Sequence, residues 1–146
     1  MTTLGLPQWF TWAAASAVFA ALTAIFAKLG LKNIDSDYAT FIRTLIILVA
    51  LAIFLSYTGK WQHPNTLSSQ NWIFLVLSGL ATGASWLAYF KALQLGDASQ
   101  VAPVDKFSVV LVTLFAVMFL AERPSVREWI GIGLISMGVL TLAWRR

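Results

Sequence analysis

Residues 37–57 read DYATFIRTLIILVALAIFLSY, and this stretch decides the fold class of the chain. Between Tyr38 and Tyr57 the only charged residue is Arg43. A helix of roughly 20 mostly apolar residues crosses the hydrocarbon core of a bilayer, which is about 30 Å thick. Because no water is available there, the backbone must satisfy its own hydrogen bonds and forms a helix. The stretch therefore predicts a transmembrane helix.

Four other stretches have a similar length and apolar character. Together the five predicted spans cover about residues 8–31, 37–57, 71–95, 99–120 and 126–144. The short connections between them force neighbouring helices to run antiparallel. Tryptophan and tyrosine residues fall near the predicted ends, as in the aromatic belts of membrane proteins. We therefore predict an all-α membrane protein, a five-helix bundle that residues 1–146 form as a single domain.

The composition excludes an ordinary soluble domain. Hydrophobic residues make up 59% of the 146 residues and charged residues only 11%, whereas a soluble domain has roughly a quarter of its residues charged. Most of the surface must therefore face lipid. The net charge of +4 accordingly indicates contact with lipid headgroups rather than with nucleic acid. We expect a multi-pass protein of a bacterial or archaeal cell membrane.

The sequence lacks the residues that an enzyme or a metal site would need. The chain has no cysteine, and its only histidine, His63, lies beside Pro64 in a polar loop. A lone histidine in a loop is not expected to bind a metal ion. No pair of acids lies within one span, and no glycine-rich phosphate loop occurs. These absences argue against an enzyme, a bound cofactor and a nucleotide-driven motor.

Apart from charges in the first three positions of a span, five charged residues lie inside the predicted spans, and alternating helix directions place all five toward one side of the membrane. They are Lys28, Arg43, Lys91, Asp105 and Lys106. A charge inside a span is costly and faces a cavity or a partner, unless a long side chain carries it to the interface. We favour the interface for Lys28 and Lys91, and a polar cavity for the other three residues.

Asp105 and Lys106 form the sharpest candidate site. Adjacent helical residues project about 100° apart, so we expect the two to be poor partners for each other, and Arg43 is a plausible partner for Asp105. Pro103 removes a backbone donor and exposes a carbonyl to which a ligand or ion could bind. Asp105 would then exchange a proton, and Lys106 would hold an anionic substrate group. The alternative is that both side chains only reach the headgroups.

Three residues of the third span form a candidate wall for an organic solute. Trp86 and Tyr89 lie near Ser85 in the same half of the membrane as the charges. Aromatic rings line ligand pockets and can hold a nearby cation. The alternative for Tyr89 and Trp86 is that they anchor the helix at the interface.

Other residues suggest structural roles. Gly79 and Gly83 form a GxxxG step, which lets helices approach closely in lipid. We expect this step to serve packing within the monomer, with a dimer contact as the alternative. Glu122 closes the fourth helix, and we expect Arg123 or Arg127 to neutralise it across the short turn.

The order and spacing of several stretches resemble the EamA domain of the drug/metabolite transporter superfamily. They are AK at residues 27–28 with Asp35-Ser36 and Arg43, AYFKALQLGDASQVAP at 88–103, and LAERPS at 120–125 with WIGIG at 129–133 and Gly138. The resemblance covers nearly the whole chain and implies the short single-domain branch of five-helix bacterial and archaeal transporters. Where many two-domain members carry Glu-Pro in the middle of the fourth helix, this chain has Ser108-Val109.

The resemblance implies a secondary transporter, or a transporter subunit, that moves a small metabolite or drug-like solute with or without a coupled ion such as a proton. Larger superfamily members carry two such repeats in opposite orientation, so a single-repeat chain would pair with a second copy or with another short protein. Basic loop residues are balanced between the two sides, which favours an antiparallel homodimer. A non-transporting accessory or scaffold protein is the alternative function.

Overall fold

A computed structural model describes residues 7–144 and confirms the all-α fold class. The helices are α1 (Gln8–Gly30), α2 (Ser36–Thr58), α3 (Ser69–Leu95), α4 (Ala98–Asp105), α5 (Ser108–Phe119) and α6 (Val126–Ala143), with a short 3-10 helix at Pro64–Thr66. Five segments are long and apolar enough to cross a membrane, because α4 and α5 together make one span. No β-strand occurs between residues 7 and 144.

The chain divides into two compact units. In the first unit, which ends at Leu95, α3 contacts both α1 and α2. In the second unit, which begins at Gly96, α6 contacts both α4 and α5. That the whole chain folds as a single domain stays a prediction.

The core of the first unit lies where the end of α3 meets the start of α2. Leu93 is fully buried, and Phe90 has only 3% of its surface exposed. Ser36 and Thr40 are also buried, and the Thr40 hydroxyl donates to the Ser36 carbonyl at 2.8 Å. Most other large apolar side chains of the described helices are exposed, as expected of helices whose outer faces contact lipid.

Lys28 connects α1 to the end of α3. Its ammonium donates to the Leu93 carbonyl at 2.7 Å, one of the last four carbonyls of α3, which have no partner inside a helix. A cation at this position also suits the negative end of the helix dipole. The Leu93 carbonyl therefore binds the Lys28 ammonium. The sequence had favoured a position at the lipid headgroups for this side chain.

The loop between α1 and α2 is tied to the same end of α3. The Gln94 amide donates to the Ile34 carbonyl at 3.1 Å, and Lys91 donates to the Gln94 side-chain oxygen at 3.4 Å. The Lys91 side chain is exposed. Together with the Lys28 bond, the bond from Gln94 to Ile34 fixes the helix ends from which α2 departs.

Side-chain caps set where α2 and α6 begin. The Asp35 carboxylate accepts from the amides of Asp37 and Tyr38 at 2.9 and 3.2 Å. At α6, Ser125 and Glu128 form a reciprocal capping box, in which each side chain bonds to the backbone of the other residue. Such caps satisfy amides that a helix leaves unbonded at its start.

The fourth span is broken, whereas the sequence predicted one helix over 99–120. The amides of Lys106 and Phe107 donate to the carbonyls of Pro103 and Val104, three residues earlier, at 3.1 and 3.0 Å. These tighter turns follow from Pro103, which has no amide hydrogen and whose ring crowds the preceding turn. The helix therefore stops at Asp105 and starts again at Ser108, after two intervening residues.

The predicted neutralisation of Glu122 is wrong. No ion pair joins Glu122 to Arg123 or Arg127 in the part of the chain that the structure describes. Ala121 has a φ of 54°, and the Glu122 amide donates back to the Ala116 carbonyl at 3.2 Å. The backbone thus turns back on α5 by itself, without help from an arginine.

Replacing Asp35 with alanine should lower the free energy of unfolding by about 0.5–2 kcal/mol, because two amides at the start of α2 lose their acceptor. Asp97→Ala is the matched control, since Asp97 occupies the N-cap position of α4 but its side chain makes no capping bond. Unfolding in mixed micelles of increasing SDS content measures both. Equal losses in the two variants would contradict the role given to Asp35.

Lys28→Met should destabilise the protein by about 1.5–3 kcal/mol, the usual worth of a hydrogen bond to a charged group. The same change at Lys91, whose side chain is exposed, should cost no more than about 0.5 kcal/mol. The same unfolding assay compares the two. If Lys28→Met were as stable as the parent, Lys28 would not connect α1 to α3.

Candidate functional site

Arg43 lies inside α2 with its guanidinium against two rings of α3. The Cζ atom is 4.4 Å from the centroid of the Trp86 ring and 5.1 Å from that of Phe90. Trp86 and Phe90 are four residues apart, so they lie on one face of the helix. Within the first unit Arg43 therefore contacts aromatic rings, whereas the sequence predicted a polar cavity.

The rings stabilise Arg43 only in part. An arginine at the centre of a span costs about 2.5–3.5 kcal/mol on insertion scales, and a desolvated cation–π contact returns about 2 kcal/mol. Within the described part of the first unit no carboxylate pairs with the guanidinium, and the side chain that interacts with it electrostatically is that of Tyr89. Its N–H donors are therefore available to water or to a bound anion.

Arg43 lines a cleft of about 550 Å³ in the first unit, within the usual range of small-molecule sites. We refer to it as the Arg43 cleft. Its walls come from α1, the following loop and α2, with Phe90 contributed by α3; they comprise Thr23, Phe26, Ala27, Gly30, Leu31, Ile34, Ala39, Ile42, Arg43, Ile46, Ile47 and Phe90. Arg43 and Thr23 are the only polar side chains among them, so the cleft is an apolar space with one charge.

Thr23 differs from the other threonines that the structure describes. Threonine hydroxyls in helices usually bond to a carbonyl three or four residues earlier, and the other threonines between residues 7 and 144 donate to a backbone carbonyl in this way. Representative cases are Thr11, Thr44, Thr82 and Thr141. No such bond occupies Thr23 in that part of the chain. Its hydroxyl is therefore available to whatever enters the cleft.

The structure brings some of the predicted wall residues together and not others. Tyr89 is half-buried, and its ring lies 6.5 Å from that of Phe90. Ser85 is exposed and does not line the Arg43 cleft. Of the predicted wall, Trp86 is the residue that contacts Arg43.

Asp105 and Lys106 pair with each other, so the prediction that they are poor partners is wrong. The Lys106 ammonium lies 3.4 Å from the Asp105 carboxylate, with 57% and 37% of the two side chains exposed. The broken helix changes the angle at which neighbouring side chains project, which allows the contact. Arg43 and Asp105 belong to different units, so their pairing stays a prediction.

Asp105 also borders a cavity in the second unit. The space measures about 410 Å³ and is lined by Asp105, Ser108 and apolar residues of α4, α5 and α6. At the helix break no backbone amide of residues 7–144 donates to the Asp105 carbonyl. The carbonyl freed near Pro103 is therefore that of Asp105, about two turns into the span, in the same residue as the carboxylate.

A Cβ atom added at Gly79 or at Gly83 would meet nothing of the first unit within 4 Å apart from its own chain neighbours and helix backbone. Packing of the two glycines within the monomer and the alternative dimer contact both stay predictions. Glu122 borders a separate cavity of about 340 Å³ near Pro124 and Glu128.

Sequence reasoning missed Phe90 and Thr23. Phe90 could have been found from its spacing of four residues from Trp86, which places both rings on one face. Thr23 gave no signal, because a threonine in an apolar helix ordinarily bonds to its own backbone. Among the described residues no group of three or more histidine and acidic side chains could hold a metal ion.

Comparison with known proteins agrees with this architecture. Residues 7–144 match the EamA-like transporter family. A Sinorhizobium protein named "Uncharacterized transporter in cobO 3'region" is 55% identical over 136 residues, covering 93% of this chain and 96% of the relative. No solved structure matches the chain.

Two further relatives carry a more specific name, "Probable 4-amino-4-deoxy-L-arabinose-phosphoundecaprenol flippase subunit ArnE". The Hamiltonella defensa protein is 30% identical over 66% of this chain and 93% of its own length. The Yersinia pestis protein is 32% identical over 58% of this chain and 75% of its own length. Since the family match spans almost every described residue, the chain belongs to the EamA-like transporter family.

Proposed function

We propose that the chain is a subunit of a secondary transporter that carries a small organic solute across the cytoplasmic membrane. The observation that carries the proposal is the Arg43 cleft, an apolar space of about 550 Å³ with a guanidinium that no carboxylate of the first unit neutralises. A charge kept inside a span usually marks a passage for a substrate or an ion.

The relatives support this function more than its alternative. One is named a transporter and two are named flippase subunits, and a scaffold would gain nothing from a costly arginine inside α2. The flippase names also favour an amphiphilic solute with a negative charge, for which Arg43 offers the complementary charge.

We assign a coupling role to Asp105. Its carboxylate borders a cavity of about 410 Å³ beside a backbone carbonyl without an amide donor. Two oxygens that face one space can bind a cation or pass on a proton, and the exposed Lys106 ammonium can release the carboxylate at little cost, because exposed ion pairs contribute only about 0–1 kcal/mol. The passage would thus use an anion site in the first unit and a cation site in the second.

The function is tested by reconstituting the purified protein in vesicles and measuring uptake of amino acids, sugars, cationic drugs and lipid-linked sugars. Accumulation of one class under an imposed proton or sodium gradient supports a secondary transporter. If folded protein moved no class in either direction, the scaffold alternative would be correct.

Asp105→Asn should abolish gradient-driven accumulation while leaving exchange of labelled for unlabelled solute intact, because only the coupling ion loses its carboxylate. Asp97→Asn is the matched control and should transport at the parental rate, since the Asp97 side chain caps nothing. Parental accumulation by Asp105→Asn would remove Asp105 from the mechanism.

We further propose that two copies form the working unit through the open Gly79–Gly83 face. A Cβ atom at Gly83 meets nothing of the first unit beyond its own helix, so in Gly83→Leu the first unit should fold normally while the dimeric fraction in nanodiscs falls several-fold by native mass spectrometry. A monomer that transports at the parental rate would overturn the dimer.

The antiparallel arrangement has its own test on this cysteine-free chain. A cysteine at Asn65, in the exposed 3-10 turn, should react with an impermeant thiol reagent from both membrane faces in comparable amounts. Labelling from one face only, in an active homo-oligomer, would show that the copies run parallel.

A further inference from the structure

We propose that Thr23 determines which solutes the Arg43 cleft accepts, by forming a hydrogen bond with a neutral hydroxyl or amide group on the apolar body of the solute. This inference rests on the proposed transport function and adds a specificity-determining residue to the same site. It is carried by three features of the first unit: a hydroxyl without a hydrogen bond, the apolar lining around it, and its depth in the span.

The Thr23 hydroxyl does not use the acceptor that its own helix offers. A threonine in a helix usually donates to the carbonyl four residues earlier, which for Thr23 is that of Phe19. Thr40 and Thr44 of α2 make this bond, at 2.8 and 2.7 Å. The half-buried Thr23 makes no hydrogen bond among the described residues. Its hydroxyl therefore adds no hydrogen bond to the fold, which indicates a role toward a ligand.

The lining around Thr23 leaves the recognition of neutral polar groups to this one hydroxyl. On α1 the wall continues from Thr23 through Phe26 and Ala27 to Gly30, and Arg43 is the other polar side chain of the cleft. Hydrocarbon walls recognise the volume of a solute, whereas a few placed polar groups fix its orientation and identity. Arg43 supplies a charge, and Thr23 supplies the neutral donor and acceptor.

Thr23 and Arg43 lie at the same depth on two walls of the cleft. Thr23 is seven residues before Gly30, the last residue of α1, and Arg43 is seven residues after Ser36, the first residue of α2. At a rise of 1.5 Å per residue, each lies about 10 Å from a helix end, and a short loop joins those two ends. The cleft therefore has one polar level, with hydrocarbon above and below it.

The hydroxyl selects a solute by the penalty that it imposes on the wrong one. A threonine hydroxyl both donates and accepts, as hydroxyl and amide groups do. A solute without such a group takes water out of the cleft and leaves the Thr23 hydroxyl without a partner, which weakens its binding. We therefore expect the cleft to prefer a solute with a hydroxyl or amide over an analogue of the same shape that lacks it.

The test measures binding of two probes to the purified full chain in detergent micelles by isothermal titration calorimetry. The probes are 2-naphthol, whose hydroxyl is uncharged at neutral pH, and 2-methylnaphthalene, which has nearly the same shape without the hydroxyl. The parent should bind 2-naphthol more tightly, and Thr23→Val should lower the ratio of the two affinities about fivefold. Partition into the micelles is the same for parent and variant, so it cancels in this comparison.

Three variants control the result. Thr23→Ser keeps the hydroxyl and should restore the parental ratio, which a purely structural role of Thr23 would not predict. Thr44→Val should leave the ratio unchanged, since Thr44 bonds to its own helix and does not line the cleft. Gly30→Leu should weaken both probes, because Gly30 lines the cleft and a Cβ atom there meets nothing of the first unit beyond its own helix.

Several results would overturn the proposal. They are a parent that does not prefer 2-naphthol, a parental ratio in Thr23→Val, a lowered ratio in Thr23→Ser, and parental binding of both probes in Gly30→Leu. Unfolding of Thr23→Val at a lower SDS fraction than the parent would also overturn it, because the hydroxyl would then serve the fold. All these measurements are made without transport, so their failure leaves the proposed function standing. Selective binding by a protein that moves no solute in vesicles would contradict the proposed function alone.

Discussion

The first unit is organised around Arg43, a cation inside an otherwise apolar helix. Arg43 interrupts a stretch that is otherwise uncharged between Tyr38 and Tyr57, and its guanidinium rests on the rings of Trp86 and Phe90. The contact joins α2 to α3, and no acid of the first unit pairs with Arg43. A stabilising contact and an available charge are therefore provided by the same residue.

The end of α3 holds this arrangement in place. Lys28 satisfies a carbonyl of its last turn, and Gln94 bonds to the loop that leads into α2. These polar contacts lie beside Leu93, which is fully buried, so they are made at the best-packed part of the unit. The cleft remains beyond this packed end, where α1 and α2 contribute apolar walls that are not filled by side chains.

Much of the fold could be predicted from the sequence because lipid imposes a simple rule. Long apolar stretches must be helices, and the predicted spans agree with the structure at nearly every boundary. The break in the fourth span was missed, since Pro103 predicts a weakened helix start but not that the amides of Lys106 and Phe107 turn to closer carbonyls. The pairing of Lys106 with Asp105 depends on that break, and a regular helix gave the wrong expectation.

The candidate site was predicted in outline only. Arg43 and Trp86 were recognised because charge and large rings are conspicuous in a span, but their mutual contact depends on the rotation of α2 against α3, which sequence periodicity does not fix. Gly79 and Gly83 show the same limit: their spacing predicts a close approach, but no other helix of the first unit makes it. Family membership indicates the function class, a transporter. The kind of solute has to be inferred from the residues that line the Arg43 cleft.

The central claim is that Trp86 stabilises the charge of Arg43 inside the span. A double-mutant cycle with Arg43→Gln, Trp86→Leu and the combined variant measures this coupling from their free energies of unfolding in SDS micelles. We predict a favourable coupling of about 1 kcal/mol or more. Additive effects of the two changes, within about 0.3–0.5 kcal/mol, would show that the ring does not hold the guanidinium.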